Sequence, residues 1–256
     1  MMHRLFDLTN KTAIVTGGGT GLGKQIAIGL AEAGANVVIC SRKLEKCEEA
    51  CEEIRQLGAP SMALACDVTQ ADDIKRVLQQ TKERFGALDI LVNNSGTSWM
   101  APFFDVPEDK WEKVMEVNVK GMFLFSQAAG KMMAEQQSGK IINIASIAGM
   151  YGQQATLMDA WPYSTSKGAV IALTKDLAAK LAPFHVQVNA IAPGFFPTKL
   201  TSALQHVRDD LLAKTPSGRL GNAEDLKGAA IYLASKASDY VTGHILVVDG
   251  GMSATI

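Results

Sequence analysis

Short apolar runs recur along the chain: "AIVTG" from Ala13, "NVVIC" from Asn36, "SMALACDV" from Ser61, "DILVNNSG" from Asp89, "KIINIAS" from Lys140, "VQVNAIAPG" from Val186 and "ILVVDGG" from Ile245. Their apolar positions are continuous rather than alternating, the pattern of strands covered on both faces. Between them lie stretches with helical spacing, among them "LEKCEEACEEIRQLG" and "ADDIKRVLQQTKERFG", the second closed by a glycine where a C-cap falls. This alternation predicts one doubly wound α/β domain over residues 1–256, with a central parallel sheet of about seven strands and helices on both faces. Ligands of such sheets lie beyond the carboxyl ends of the strands, where strand order reverses. The Gly, Asn, Ser and Asp residues of this chain gather at those ends, and residues 195–216 read as a lid over the same side.

Composition narrows the partners. A chain of 256 residues with 47% hydrophobic and 20% charged residues can bury a sizeable core. Its 25 Lys+Arg nearly cancel its 26 Asp+Glu, so no net basic field points to nucleic acid or an anionic membrane. The opening "MMHRLFDLTNK" lacks the apolar core of a leader, and no apolar run is long enough to span a bilayer, so the cytoplasm is the expected location. Cys40, Cys47, Cys51 and Cys66 read as packing thiols. Disulfides are improbable in a cytosolic chain of this size, and Cys47 and Cys51 have no paired histidines beside them, so no metal site is expected.

The first strand breaks into "TGGGTGLG", T-G-x-x-x-G-x-G, before helical spacing resumes. Glycine costs backbone entropy, so such a run needs φ > 0 or the close approach of a ligand. A helix N-terminus offers free N–H groups and a positive dipole end to phosphate. Gly17, Thr20, Gly21, Leu22 and Gly23 are therefore assigned to a phosphate cradle, and the strand–turn–helix context favours a dinucleotide. The second strand ends "VICSRK", with no carboxylate to accept from a free ribose 2′-hydroxyl. Ser41, Arg42 and Lys43 offer donors and positive charge instead, which suits the 2′-phosphate of NADP better than NAD.

Farther on, "YSTSK" places Tyr163 and Lys167 four apart on one helix face. A phenol of ordinary pKa near 10 needs help to exchange protons near neutrality, and an adjacent ammonium or an oxidised nicotinamide favours its phenolate. Ser146, at the end of "KIINIAS", can donate to a substrate carbonyl, and Asn118 lies in "EVNVKG" within the long helix before it. Together with "NNSG" and the pair Pro193 and Gly194, these motifs stand in the order and near the spacings of the short-chain dehydrogenase/reductase family. The sequence resembles that family over nearly all its length, in its short, cytosolic, bacterial-type branch.

The resemblance implies a Rossmann-type fold and a set of roles. Tyr163 would be the general acid in reduction and base in oxidation, and Lys167 would hold the nicotinamide ribose and lower the Tyr163 pKa. Ser146 would fix the substrate oxygen, and Asn118 would position a water in a proton relay. Asp67 and Val68 would border the adenine, Asn94 and Gly96 the ribose side, and Phe196 and Thr198 the nicotinamide amide. The family also implies a homotetramer.

Selectivity is less determined. The substrate pocket is expected between Trp99 with Met100, the loop up to Trp161, and the lid, with Gln153, Gln154 and Lys199 as polar candidates for orienting a carbonyl or alcohol substrate. The loop between Ser146 and Tyr163 is longer than usual and, like "PGFFPTK", resembles gluconate 5-dehydrogenase-like members. Some such sugar-acid enzymes carry arginine just after "NNAG", where this chain has Thr97 and its neighbours. The 3-oxoacyl-acyl-carrier-protein reductases are the alternative, although Gln137 and Phe184 stand where their carrier-binding arginines fall. A non-enzymatic dinucleotide sensor would predict a degraded catalytic set, whereas the set here is intact.

Overall fold

The computed structural model describes residues 4–152, 158–197 and 208–255. Each apolar run becomes a strand: β1 (Thr12–Thr16), β2 (Asn36–Ser41), β3 (Ser61–Ala65), β4 (Ile90–Asn93), β5 (Gly139–Ile144), β6 (Val186–Pro193) and β7 (Ile245–Val248). They form one parallel sheet in the order β3-β2-β1-β4-β5-β6-β7. Successive side chains enter opposite cores, as the two-residue period of a strand requires. Ala13, Val15, Val37 and Ile39 join one core, and Ile14, Val38 and Cys40 the other. Burying each of the larger aliphatic side chains contributes roughly 1.5–3 kcal/mol. The edge strands β3 and β7 are mostly half-buried, because each has a strand neighbour on one side only.

Helices α1 (Gly21–Glu32), α2 (Leu44–Gln56) and α8 (Ala223–Ala234) cover the first face, through residues such as Leu30, Ile54 and Leu233. Helices α3 (Ala71–Phe85), α5 (Gly121–Gln136) and α6 (Trp161–Leu181) cover the second, through Val77, Phe125 and Ala178. Charge placement helps to end these elements. α3 carries Asp72 and Asp73 in its first turn and Lys82 and Arg84 in its last, complementing its dipole, and stops at Gly86 with φ +85°. α8 begins in a capping box between Asn222 and Asp225, and Arg219 clamps the Asp225 carboxylate at 2.6 and 2.8 Å. α4 (Glu108–Met115) runs through a π-helical turn, Glu116–Lys120, into α5. The short α7 (Arg208–Ala213) follows β6.

Strand order reverses between β1 and β4, and the carboxyl ends of β1, β2, β4 and β5 surround a cavity of about 1060 Å³. The four cysteines are free and buried. Among the described residues, no group of three potential metal ligands is found and no helix is long and apolar enough to cross a membrane. Thr198 and Lys199 of the expected lid, and Gln153 and Gln154 of the expected pocket, lie outside the described residues.

Candidate active site

The glycine turn is stitched to the end of β4. The Thr16 hydroxyl accepts from the backbone N–H groups of Asn94 and Ser95, both at 3.0 Å, while Asn94 Nδ2 donates to the carbonyls of Thr16 at 2.9 Å and Gly17 at 3.2 Å. Two of the glycines are explained by this seam. Gly17 has φ +64°, and a Cβ on Gly23 would stand 2.2 Å from Asn94 Nδ2. Thr20, the N-cap of α1, makes no side-chain cap, so the first N–H groups of that helix point into the cavity mouth as phosphate donors. The cradle therefore fits a pyrophosphate. Gly23→Ala is expected to weaken dinucleotide affinity by tenfold or more and to lower stability by about 1–3 kcal/mol, read by calorimetric titration and urea denaturation. Unchanged binding would mean that Asn94 yields without disturbing the turn.

At the β2 side, Ser41, Arg42, Lys43 and Lys46 line the cavity, with Asp67 and Val68 opposite. The Ser41 hydroxyl shapes this turn, accepting from the Lys43 N–H at 3.2 Å and lying 3.1 Å from Cys47 Sγ. The Asp67 carboxylate accepts from the N–H and hydroxyl of Thr69 at 3.0 and 2.8 Å. Burial pushes that carboxyl up, and the Thr69 bonds together with Arg42 outweigh it and leave it below its usual value.

At the other side, Ser146 follows β5 by two residues and opens a 3-10 turn, Ile147–Gly149, where its hydroxyl accepts from the Ala148 N–H at 3.1 Å. Gly149 permits that turn to touch α6, since a Cβ there would stand 2.4 Å from the Lys167 carbonyl carbon. Pro162 sits in the first turn of α6, where its missing N–H costs little, and Tyr163 and Lys167 project one turn apart into the cavity. Lys167 Nζ donates to the Ile144 carbonyl at 2.6 Å and lies 5.6 Å from the Tyr163 ring centre.

Burial governs both groups. It pulls Lys167 from the usual 10.5 to about 8. It raises Tyr163 above its ordinary 10, and a hydrogen bond with Ser146 offsets this in part. The expected lowering of Tyr163 by Lys167 is thus not a feature of the protein alone. The ammonium is spent on Ile144, and Ser146 supplies the lowering. Replacing Lys167 by Met separates these effects through pH. Between about 8 and 10.5 the native chain holds fewer protons than the unfolded one, so the cost of burying the ammonium is full below pH 8 and fades above it. Wild type is expected to gain about 3 kcal/mol on Lys167→Met across that window in urea denaturation. A constant difference would show that the ammonium is well solvated.

Asn118 sits in the π-helical turn rather than in regular helix. Its Oδ1 accepts from the Thr97 N–H at 2.8 Å, and its Nδ2 donates to the Thr97 carbonyl and to Ser166 Oγ, both at 2.9 Å. Ser166 in turn donates to the Tyr163 carbonyl at 2.7 Å. The side chain thus splices the loop after β4 to the second turn of α6, and both Nδ2 hydrogens are used. π-Bulges recur at functional sites because they free backbone groups from the helical ladder.

The cavity gathers Gly17, Thr20, Gly21, Leu22, Gly23, Asn94, Gly96 and Phe196 with Ser41, Arg42, Lys43, Asp67, Val68, Tyr163 and Lys167. The described lining includes neither the apolar walls expected from sequence nor Ser146 itself. The Trp161 ring stacks on Trp111 and Phe103, with centroids 5.0 and 5.2 Å away, and neither it, Trp99 nor Met100 lines the cavity. Aromatic residues near the tyrosine prefer one another to the cavity, and Trp99 is taken by Lys110, whose ammonium stands 5.1 Å over its ring. Pro193 ends β6, and Gly194 packs on Asp249, while Phe195, Phe196 and Pro197 form the lining. Lys46, Ser95, Val117, Arg208, Leu211 and Leu220 also line it. Of these, Arg208 and Leu211 fall in the expected lid and Ser95 in "NNSG", Lys46 stands one turn beyond Arg42 and Lys43, and Val117 and Leu220 carried no sequence signal.

The family model described as enoyl-(acyl carrier protein) reductase matches residues 17–253. The chain is 40% identical over 260 residues, 100% of both chains, to 5-keto-D-gluconate 5-reductase of Escherichia coli strain K12. It is 37% identical to the 3-oxoacyl-acyl-carrier-protein reductase FabG of Staphylococcus aureus strain Mu50, over 94% of this chain and 98% of that one. Among solved structures, gluconate 5-dehydrogenase from Burkholderia cenocepacia J2315, in complex with NADP and tartrate, superposes with a TM-score of 0.93 at 39% identity, covering 99% of each chain. With its glycine turn, seven-stranded sheet, tyrosine and lysine on one cavity wall and serine beside the tyrosine, the chain belongs to the short-chain dehydrogenase/reductase family and is an oxidoreductase of CH–OH groups.

Proposed function

We propose that this protein interconverts a ketone, keto acid or sugar-derived carbonyl compound and its secondary alcohol with NADP(H). The observation that carries this reading is one cavity with two chemically distinct ends: Arg42, Lys43 and Lys46 beside the turn after β2, and Tyr163 and Lys167 beside Ser146. The names of the sugar-acid relatives and the NADP in the Burkholderia complex support it.

Bound reduced nicotinamide supplies a hydride to the carbonyl carbon. The side chains do the rest. Ser146 donates to the substrate oxygen and polarises the carbonyl. Tyr163 gives its phenolic proton to the oxygen as negative charge develops there, and takes it back in the oxidative direction. Lys167 would hold the cofactor ribose hydroxyls, and its ammonium would stabilise the phenolate left behind. Asn118, with its side chain committed to Thr97 and Ser166, would hold a relay water through its backbone. Arg42 and Lys43 pair with the 2′-phosphate, and Phe196 with Thr198 would border the nicotinamide amide. We further assign the enzyme to the cytoplasm and to a homotetramer, the latter checked by light scattering on a size-exclusion column.

Reduction of 3-oxoacyl thioesters is the second reading, favoured by the Staphylococcus relative. Against it, Gln137 and the exposed Phe184 stand where an acidic carrier needs arginines. Following the near-ultraviolet absorbance of NADPH against ketones, keto acids, keto sugars and a 3-oxoacyl thioester separates the two. Turnover confined to the thioester would favour the second, and no oxidation by any compound would reject both.

A further inference from the structure

One charge in the cavity has no part in this scheme. Arg208 opens α7 and lines the cavity wall. Leu211, one helical turn on and hence on the same face, is buried against Ile147, the residue after Ser146, in a cluster joined by Met158 and Phe195. That packing fixes the Arg208 face of α7 at the Ser146 end of the cavity, away from the cationic turn after β2. Other cations that could serve are engaged elsewhere: Arg219 by Asp225, and Lys167 by the Ile144 carbonyl. Arg208 forms no hydrogen bond or ion pair with another described residue, and the lining carboxylate, Asp67, belongs to the far end. Arg208 itself is exposed, and the lining residues Leu211, Leu220 and Phe195, which cluster with Ile147, are apolar.

We infer that Arg208 is a specificity residue that holds the carboxylate of the substrate while the carbonyl lies between Ser146 and Tyr163, so that the preferred substrates are small keto or hydroxy acids. This rests on the carbonyl-reductase reading above. A guanidinium presents paired donors that match the two oxygens of a carboxylate. A neutral ketone leaves that charge without a partner, and discrimination follows from the unmade bond.

The test compares wild type, Arg208→Gln and Arg208→Lys, each saturated with NADPH, on 5-keto-D-gluconate and on its neutral methyl ester. The acid-to-ester ratio of kcat/KM is expected to fall about 10- to 100-fold in Arg208→Gln and less in Arg208→Lys, which keeps the charge but not the paired donors. Titration of tartrate into the NADP-loaded proteins gives a readout without turnover, with Arg208→Gln binding at least about tenfold more weakly than wild type. An unchanged ratio, or a loss of NADPH affinity that accounts for the whole effect, overturns the inference and gives Arg208 to the cofactor phosphates. A wild type that reduces the ester and not the acid also overturns it while leaving the carbonyl-reductase reading intact. If wild type reduces neither compound, that reading fails for this class, and equal tartrate binding by wild type and Arg208→Gln would overturn the role of Arg208 separately.

Discussion

Tyr163→Phe is expected to bind NADPH as wild type does and to lose kcat by roughly 10²–10⁴, the span of a positioned general acid. The substitution removes one oxygen and leaves the ring beside Lys167, so the glycine cradle and the turn after β2 are untouched. The loss should appear in kcat and kcat/KM together, since the phenolic proton is needed only as the substrate oxygen gains charge. The pH profile adds a second check. Because burial raises the free phenol and only Ser146 opposes it, the reductive direction should hold its rate on the acidic side, where the phenol is protonated. The oxidative direction should weaken there. A purified Tyr163→Phe protein with near-normal turnover would remove the tyrosine from the chemistry.

Arg42→Asp is expected to lower kcat/KM with NADPH by tenfold or more and to raise the efficiency with NADH, reversing the preference. A carboxylate in the turn after β2 would repel the 2′-phosphate and accept from a free 2′-hydroxyl. Arg42 is exposed, so its effect should shrink in high salt, where Lys43 and Lys46 are screened as well. Equal efficiencies with both cofactors in the native protein, or the same ratio in Arg42→Asp, would mean that these cations are merely solvated.

The strands were legible because each buried strand must be apolar on both faces, and "NVVIC" or "KIINI" has no other economical reading. The glycine turn was legible for a similar reason: Gly17 and Gly23 answer to backbone geometry and to the Asn94 seam, which few other residues satisfy. What escaped depends on contacts distant in sequence. The π turn at Asn118 keeps the apolar spacing of a helix, so nothing in "EVNVKG" marks it. The electrostatics of Tyr163 and Lys167 follow from burial and from the Ile144 carbonyl, neither of which their spacing encodes. Trp161 stood close to the tyrosine in sequence, yet its ring turns to Trp111, a partner fifty residues earlier. Arg208, in "HVRDDLL", looks like any surface charge until Leu211 anchors its helix beside Ile147.

Hydride transfer can be followed atom by atom. NADPH carrying deuterium at the transferable nicotinamide position is mixed with the enzyme and an accepted keto compound, and the product alcohol is analysed by mass spectrometry and proton NMR. One deuterium on the carbinol carbon for each NADPH oxidised, with the yield collapsing in Tyr163→Phe, is the result predicted. Oxidation of NADPH that leaves the carbinol carbon without deuterium, or equal labelling by Tyr163→Phe at the wild-type rate, would contradict the assignment of this cavity as a tyrosine-dependent carbonyl reductase site.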